Sequence, residues 1–189
     1  YWYEIVSLLP SAEVKLPGLR KVSLQGDANV ANLFSDLGVE TEYLEDGIII
    51  RHMKRKARKF FHDFIREPDL AQTFATTCCF KGIPFLFSGT QSLKIKETDR
   101  IAALITELRK MGFVLRDGGS GMLEWDGERC FPAEVPAIDT YDDHRMAMSM
   151  APGSILLNPL FINDPMVVTK SYPSFWDDLK KAGFTIQPK

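Results

Sequence analysis

The strongest constraint on what this chain can fold into is that one pattern is written into it three times. An apolar, helix-like stretch leads to a glycine and then to a β-like run at Tyr1–Leu9, Gly18 and Val22–Leu24. It does so again at Leu70–Phe80, Gly82 and Ile83–Phe87, and once more at Met146–Met150, Gly153 and Ile155–Leu157. The marker glycines lie 64 and 71 positions apart, a longer period than solenoid repeats use. Each β-like run is followed by a loop and a second, amphipathic helix. That helix closes in a similar phrase each time: Leu37-Gly38-Val39, Met111-Gly112-Phe113 and Ala182-Gly183-Phe184, spaced 74 and 71 apart. Glycine at such a point suits a left-handed helix cap, and Asp46-Gly47 and Asp117-Gly118 read as hairpin turns. The unit is therefore helix–strand–helix–hairpin, repeated over about 1–60, 61–130 and 131–189, with the third copy reaching Lys189 before its hairpin closes.

The middle copy shows the pattern best. Ile101, Leu104, Ile105, Leu108 and Met111 recur at helical spacing and form one apolar stripe. Three such units sharing a core predict an α/β domain with its helices packed together and sheets outside or around them. A chain of 189 residues that is 45% hydrophobic can bury that core. Lys+Arg 23 against Asp+Glu 25 leaves a net charge of −2, which argues against affinity built on neutralising nucleic-acid phosphates. Cys78, Cys79 and Cys130 cannot make a disulfide framework and read as small buried hydrophobes in a reducing compartment. No Cys-x-x-Cys or His-x-x-x-His pair offers a zinc site. Pro152, Gly153 and Pro159 interrupt the best candidate for a membrane span, and there is no secretory signal. The sequence opens at Tyr1 inside an apolar segment, which reads as an excised or processed piece of something larger.

Polar clusters fall at predicted helix starts, where unpaired N–H groups and the positive dipole end attract anions. The densest is Lys94-Ile95-Lys96-Glu97-Thr98-Asp99-Arg100. Glu97 and Arg100, three apart, can share one side of the first turn. A capped helix with a solvated charge pair is the plain alternative, yet three cations in seven residues exceed what capping needs. Tyr141-Asp142-Asp143-His144-Arg145-Met146-Ala147-Met148 offers an Asp as helix cap and then Arg145 in the first turn, where a cation opposes the dipole unless an anion binds. Thr169-Lys170-Ser171-Tyr172-Pro173 precedes the last helix. In Glu67-Pro68-Asp69, the aspartate can simply cap the helix beginning at Leu70. Lys96 and Lys170 stand at equivalent points of their units, as do Asp69 and Asp143. Packed around a pseudo-threefold axis, these starts would converge on one edge carrying several cations and a few carboxylates, suited to acid–base chemistry on a multiply anionic substrate. A separate basic run, Arg51 to Lys59, reads as a solvated strand or loop; it lacks the interleaved aromatics of a base-stacking platform, and Phe60, Phe61 and Phe64 follow as a block.

Two of these clusters carry a resemblance. Lys96-Glu97-Thr98-Asp99-Arg100 resembles one signature of the EPSP synthase (3-phosphoshikimate 1-carboxyvinyltransferase) family, and Asp143-His144-Arg145-Met146-Ala147-Met148 resembles the second. Lys170, with its aromatic-Pro pair and following helix, is similar to the family's C-terminal segment. The resemblance implies most of the C-terminal domain of a two-domain enzyme, built of repeated βαβαββ units with helices inside and sheets outside, lacking its first segment and the N-terminal domain. It implies transfer of the enolpyruvyl group of phosphoenolpyruvate (PEP) to the 5-hydroxyl of shikimate 3-phosphate, a step toward aromatic amino acids, by a cytoplasmic monomer with no cofactor and no nucleic-acid or membrane partner. In it Asp69 matches the aspartate that orients or deprotonates the shikimate hydroxyl, and Glu97 the glutamate that exchanges a proton with the PEP methylene. Lys96 would contact shikimate hydroxyls, Arg100 and Arg145 the PEP carboxylate and Lys170 its phosphate. His144 is a neighbour in the binding site, and Ser92 stands where several members have an Asn that contacts shikimate. The isolated piece is expected to be inactive. The competing expectations are the related transferase acting on UDP-N-acetylglucosamine, and an RNA-binding module of βαβαββ units supported only by the basic run.

Overall fold

In the computed structural model the described residues are 1–23, 25–54 and 57–187. The chain opens with α1 (Trp2–Leu8), β1 (Glu13–Pro17), α2 (Val30–Asp36), β2 (Val39–Tyr43) and β3 (Gly47–His52). β3 is central in an antiparallel sheet of order β1-β3-β2. Next come β4 (Phe60–Asp63), α3 (Ala71–Lys81), β5 (Phe85–Ser88), α4 (Arg100–Lys110), β6 (Arg116–Gly119) and β7 (Met122–Trp125). Here β4 and β5 run parallel across α3, and β7 and β6 complete a sheet of order β4-β5-β7-β6. This middle run has the complete βαβαββ order. The last third holds β8 (Ala137–Ile138), α5 (His144–Met150), β9 (Phe161–Ile162) and α6 (Phe175–Lys181), with β8 parallel to β9.

Helices meet helices at the centre. α3 packs against α1 on one side and α5 on the other, and Ala71–Phe80 are buried without a break. A helix so enclosed needs no amphipathic stripe. Its Thr77 hydroxyl is satisfied by the Thr73 carbonyl one turn back, and Cys78 and Cys79 are buried free thiols; Cys130 is half-buried instead. α4 lies at the surface and keeps its predicted stripe, with Ile101, Leu104, Leu108 and Met111 buried while Ala102, Thr106 and Arg109 face solvent. An aromatic cluster of Phe34, Phe60, Phe64, Phe74, Phe85 and Phe87 fills the space between α3 and the sheets. The α/β class and the central packing of helices agree with the sequence.

Several local expectations are corrected. The predicted run at Val22–Leu24 forms no strand where it is described: Val22 is exposed, and Leu24 lies outside the described residues. The strand instead precedes Gly18, where Val14 and Leu16 alternate toward the core. Gly38, Gly112 and Gly183 do adopt left-handed conformations, with φ of 88°, 91° and 99°. Gly153 is different. It sits in a 3-10 helix, Ala151–Ile155, and a Cβ there would lie 2.4 Å from Cε of Met111 and 3.0 Å from Cζ of Phe80. It is a close-approach glycine, so no strand follows at Ile155–Leu157, and β9 forms beyond Pro159. The second hairpin turns at Ser120-Gly121, both at positive φ, because Asp117-Gly118 is taken into β6, where the ladder shifts register. In the basic run, Arg51 is spoken for by Glu13 and Glu42, each 2.5 Å away across the sheet; Arg55 and Lys56 lie outside the described residues. Among the described residues no helix is long and apolar enough to cross a membrane.

Candidate functional site

Three helix starts meet in one ion network. Asp69 lies in a 3-10 turn, Pro68–Leu70, ahead of α3. The helix is preceded by Leu70 and Asp69 makes no capping bond, so the plain capping role fails and the carboxylate is free for other partners. It accepts hydrogen bonds from Nη1 of Arg100 at 2.9 Å and Nη2 of Arg145 at 3.0 Å, with Nζ of Lys96 at 3.4 Å. The Asp69 carbonyl accepts a further bond from Nη1 of Arg145 at 3.1 Å. Burial disfavours the charged carboxyl, but Arg145, Lys96 and Arg100 together hold it below the usual range.

Arg100 is the hub. Only 1% of it is exposed, an extreme for a residue that keeps its charge. Its Nε donates to Oδ2 of Asp143 at 2.7 Å, and Nη2 donates to Oε2 of Glu97 at 2.6 Å and to Oδ1 of Asp143 at 3.4 Å. The fork is thus engaged at every nitrogen. α4 begins at Arg100 and is capped by Asp99 through the N–H groups of Ile101 and Ala102. Glu97 therefore stands before the helix, on an approach that aims it back at Arg100.

Asp143 does two jobs. It is fully buried, accepts the N–H of Arg145 at 2.8 Å as the cap of α5, and grips Arg100. One carboxylate therefore fixes the start of α5 and a guanidinium from α4. The two residues ahead of it, Tyr141 and Asp142, both have positive φ, 54° and 56°. Left-handed backbone at two consecutive non-glycine residues costs on the order of 1–3 kcal/mol each. It is held by Oη of Tyr141 on Glu107 at 2.6 Å, and by Lys170 on the carbonyl and carboxylate of Asp142 at 2.8 and 2.7 Å.

The predicted residues fall into three groups. Asp69, Lys96, Glu97, Arg100 and Arg145 are joined directly. Lys170 reaches the rim through Asp142; it ends a 3-10 helix, Pro165–Lys170, rather than starting α6. His144 opens α5 with Nδ1 buried and without a partner, and burial draws its imidazole below the usual pKa despite Asp143. Ser92, in the 3-10 helix Gln91–Ile95, is not bonded to the network. Lys94 turns away to Asp117 at 2.5 Å. Asp27 was not singled out by its sequence; it sits on the 3-10 helix Gly26–Asn29 with Oδ2 4.0 Å from Nη2 of Arg145. Burial raises its carboxyl pKa, with Asp69 and Glu67 adding to the effect against Arg145 and Lys96. The edge is also less cationic than expected, since Lys96, Arg100 and Arg145 already face Asp27, Asp69, Glu97 and Asp143. Among the described residues no group of His, Cys, Asp and Glu is arranged to hold a metal.

The sequence matches the family described as EPSP synthase (3-phosphoshikimate 1-carboxyvinyltransferase) over residues 1–179. A 3-phosphoshikimate 1-carboxyvinyltransferase of Bacteroides fragilis is 51% identical over 187 residues, covering 99% of this chain and 46% of the relative. One from Aliivibrio fischeri is 35% identical over 182 residues, 95% of this chain and 41% of the relative. In three dimensions an EPSP synthase of Acinetobacter baumannii superposes with a TM-score of 0.73 at 18% identity, over 98% of this chain and 45% of its own. The chain thus spans less than half the length of the relatives it matches.

Proposed function

The chain belongs to the EPSP synthase family, and from that premise we propose that it forms one wall of a site that transfers the enolpyruvyl group of PEP to the 5-hydroxyl of shikimate 3-phosphate, releasing phosphate. The observation that carries this reading is the direct joining of Asp69, Glu97, Arg100 and Arg145, from three separated stretches of chain, in one network. Asp69 orients or deprotonates the acceptor hydroxyl. Glu97 delivers a proton to the PEP methylene. Lys96 contacts shikimate hydroxyls, and Arg145, 21% exposed at its side chain, meets the PEP carboxylate with N–H donors left over from its two bonds to Asp69. Lys170 lies toward the phosphate, with His144 and Ser92 at the margin.

Arg100 is 1% exposed and held by Asp69, Glu97 and Asp143, so it meets the PEP carboxylate by exchanging one of the two more exposed partners, Asp69 or Glu97, for it. That exchange has a chemical use. An anion that takes over Nη2 of Arg100 frees Oε2 of Glu97, which that nitrogen holds at 2.6 Å, to carry the proton. Proton donation then belongs to the loaded site. The cations here are already balanced by carboxylates, so further cations must come from the other wall, in the portion of the relatives that this chain does not span. These 189 residues alone do not turn over. The same proposal includes the division into units of about 1–60, 61–130 and 131–189 around a pseudo-threefold axis, supported by the βαβαββ order of the middle unit. It also includes action as a cytoplasmic monomer.

The experiment is Glu97→Gln in an enzyme that contains both walls. It should bind PEP and shikimate 3-phosphate with near-normal affinity and lose at least about a hundredfold in kcat. Turnover close to that of the wild type would remove Glu97 from the mechanism.

A further inference from the structure

Glu67 stands two residues before Asp69 and is 6% exposed, yet it makes no capping bond. Its Oε1 accepts two hydrogen bonds at 2.8 Å, from Nε2 of His62 and from Nδ2 of Asn29. His62 belongs to β4, its ring set edge-on to Phe64 with centroids 4.6 Å apart. Asn29 closes the 3-10 helix that also carries Asp27. The two backbones press together at this point: a Cβ on Gly26 would lie 2.8 Å from the carbonyl oxygen of Arg66 and 4.0 Å from Cβ of Glu67. One buried carboxylate therefore ties the end of β4 and a segment from the first third of the chain to the turn that bears Asp69. Pro68, with its fixed φ, stiffens the short link between Glu67 and Asp69. A carboxylate is costly to bury without donors, and His62 and Asn29 supply two.

We propose that Glu67 is a positioning residue of the site: clipped by His62 and Asn29, it holds Asp69 and Asp27 at their stations around Arg145. Its catalytic consequence rests on the proposed function; the clip itself does not. Displacing a reacting group by about 1 Å can cost on the order of a hundredfold in rate, and a carboxylate two residues from its anchor is exposed to that loss.

The test is a carbon-13 NMR titration of the aspartate carboxyls in the 189-residue chain. In the wild type, Asp69 titrates below the ordinary range, because Arg145, Lys96 and Arg100 outweigh its burial. Glu67→Ala should move that midpoint upward while the amide spectrum stays folded. Glu67→Gln, whose amide oxygen still accepts both bonds, should leave it low. Asn29→Ala, which removes one donor, should give a smaller upward move and stands in if Glu67→Ala does not fold. An Asp69 midpoint unchanged in the folded alanine variants would overturn the proposal. In an active enzyme with both walls, Glu67→Ala should lower kcat about tenfold and Glu67→Gln restore it to within about threefold. A wild-type enzyme without enolpyruvyl transfer would count against the proposed function alone, and the titration would still decide the role of Glu67.

Discussion

Asp143 and Glu4 are both fully buried carboxyl groups, and the two regions that hold them solve the same problem in opposite ways. At the start of α5, Asp143 is met by the fork of Arg100 and the N–H of Arg145. Between α1 and α3, Glu4 has no guanidinium to meet it: Oγ1 of Thr76 lies 2.7 Å from its Oε1, and its Oε2 has no hydrogen-bond partner. Burial pushes the Glu4 carboxyl up to about 8, with Thr76, the N-terminal ammonium and Thr77 only partly opposing it. Where a guanidinium is supplied, a charge can be kept in the interior. Where no side-chain cation is supplied, a proton is kept instead. The chain places the ionic solution at its candidate site and the neutral one in the packing behind it.

The comparison can be broken first at Glu4, where the expected effect is largest. The ordinary carboxyl value of 4.5 applies to the unfolded chain and about 8 to the folded one, so folding favours the protonated form. Stability is undiminished by this group below about pH 4.5 and falls as the pH rises toward 8. The loss amounts to roughly 4–5 kcal/mol in total. Urea unfolding across that range should show the decline in the wild type and a shallower one in Glu4→Gln. Identical slopes would show that Glu4 is not the buried acid described here.

The second break comes at Asp143. Asp143→Ala leaves Arg100 buried with less to answer its charge and takes the cap from α5. A loss of about 3–5 kcal/mol is expected, read as a lower urea midpoint with an unchanged slope. A loss under about 1 kcal/mol would mean that Arg100 finds water or another partner, and the contrast with Glu4 would disappear.

The sequence carried the parts of this account that depend on neighbours along the chain. The stripe from Ile101 to Met111 follows from helical spacing, and Gly38, Gly112 and Gly183 follow from the left-handed cap each helix needs. Glu97 and Arg100 are three apart and do meet. What was not legible depends on contacts across the fold. Gly153 looks like Gly82 in sequence, but it is dictated by Met111 and Phe80 pressing on it. Lys94 belongs to the densest cationic cluster and yet turns to Asp117 on the β6–β7 hairpin. Asp27 sits in an unremarkable segment, and within the Glu67-Pro68-Asp69 cluster nothing local says that Glu67 meets His62 and Asn29. Asp143 was legible as a cap; that the same oxygens hold Arg100 could be read only from the packing of α4 against α5's start.

Asp69 and Arg145, separated by 76 positions in sequence, act as one unit joined directly and through Arg100. A double-mutant cycle on Asp69→Ala and Arg145→Ala, read by urea unfolding, measures this directly. A coupling energy of about 0.5–3 kcal/mol between the two changes is expected. Strict additivity, with each substitution costing the same whether or not the other residue is present, would contradict it.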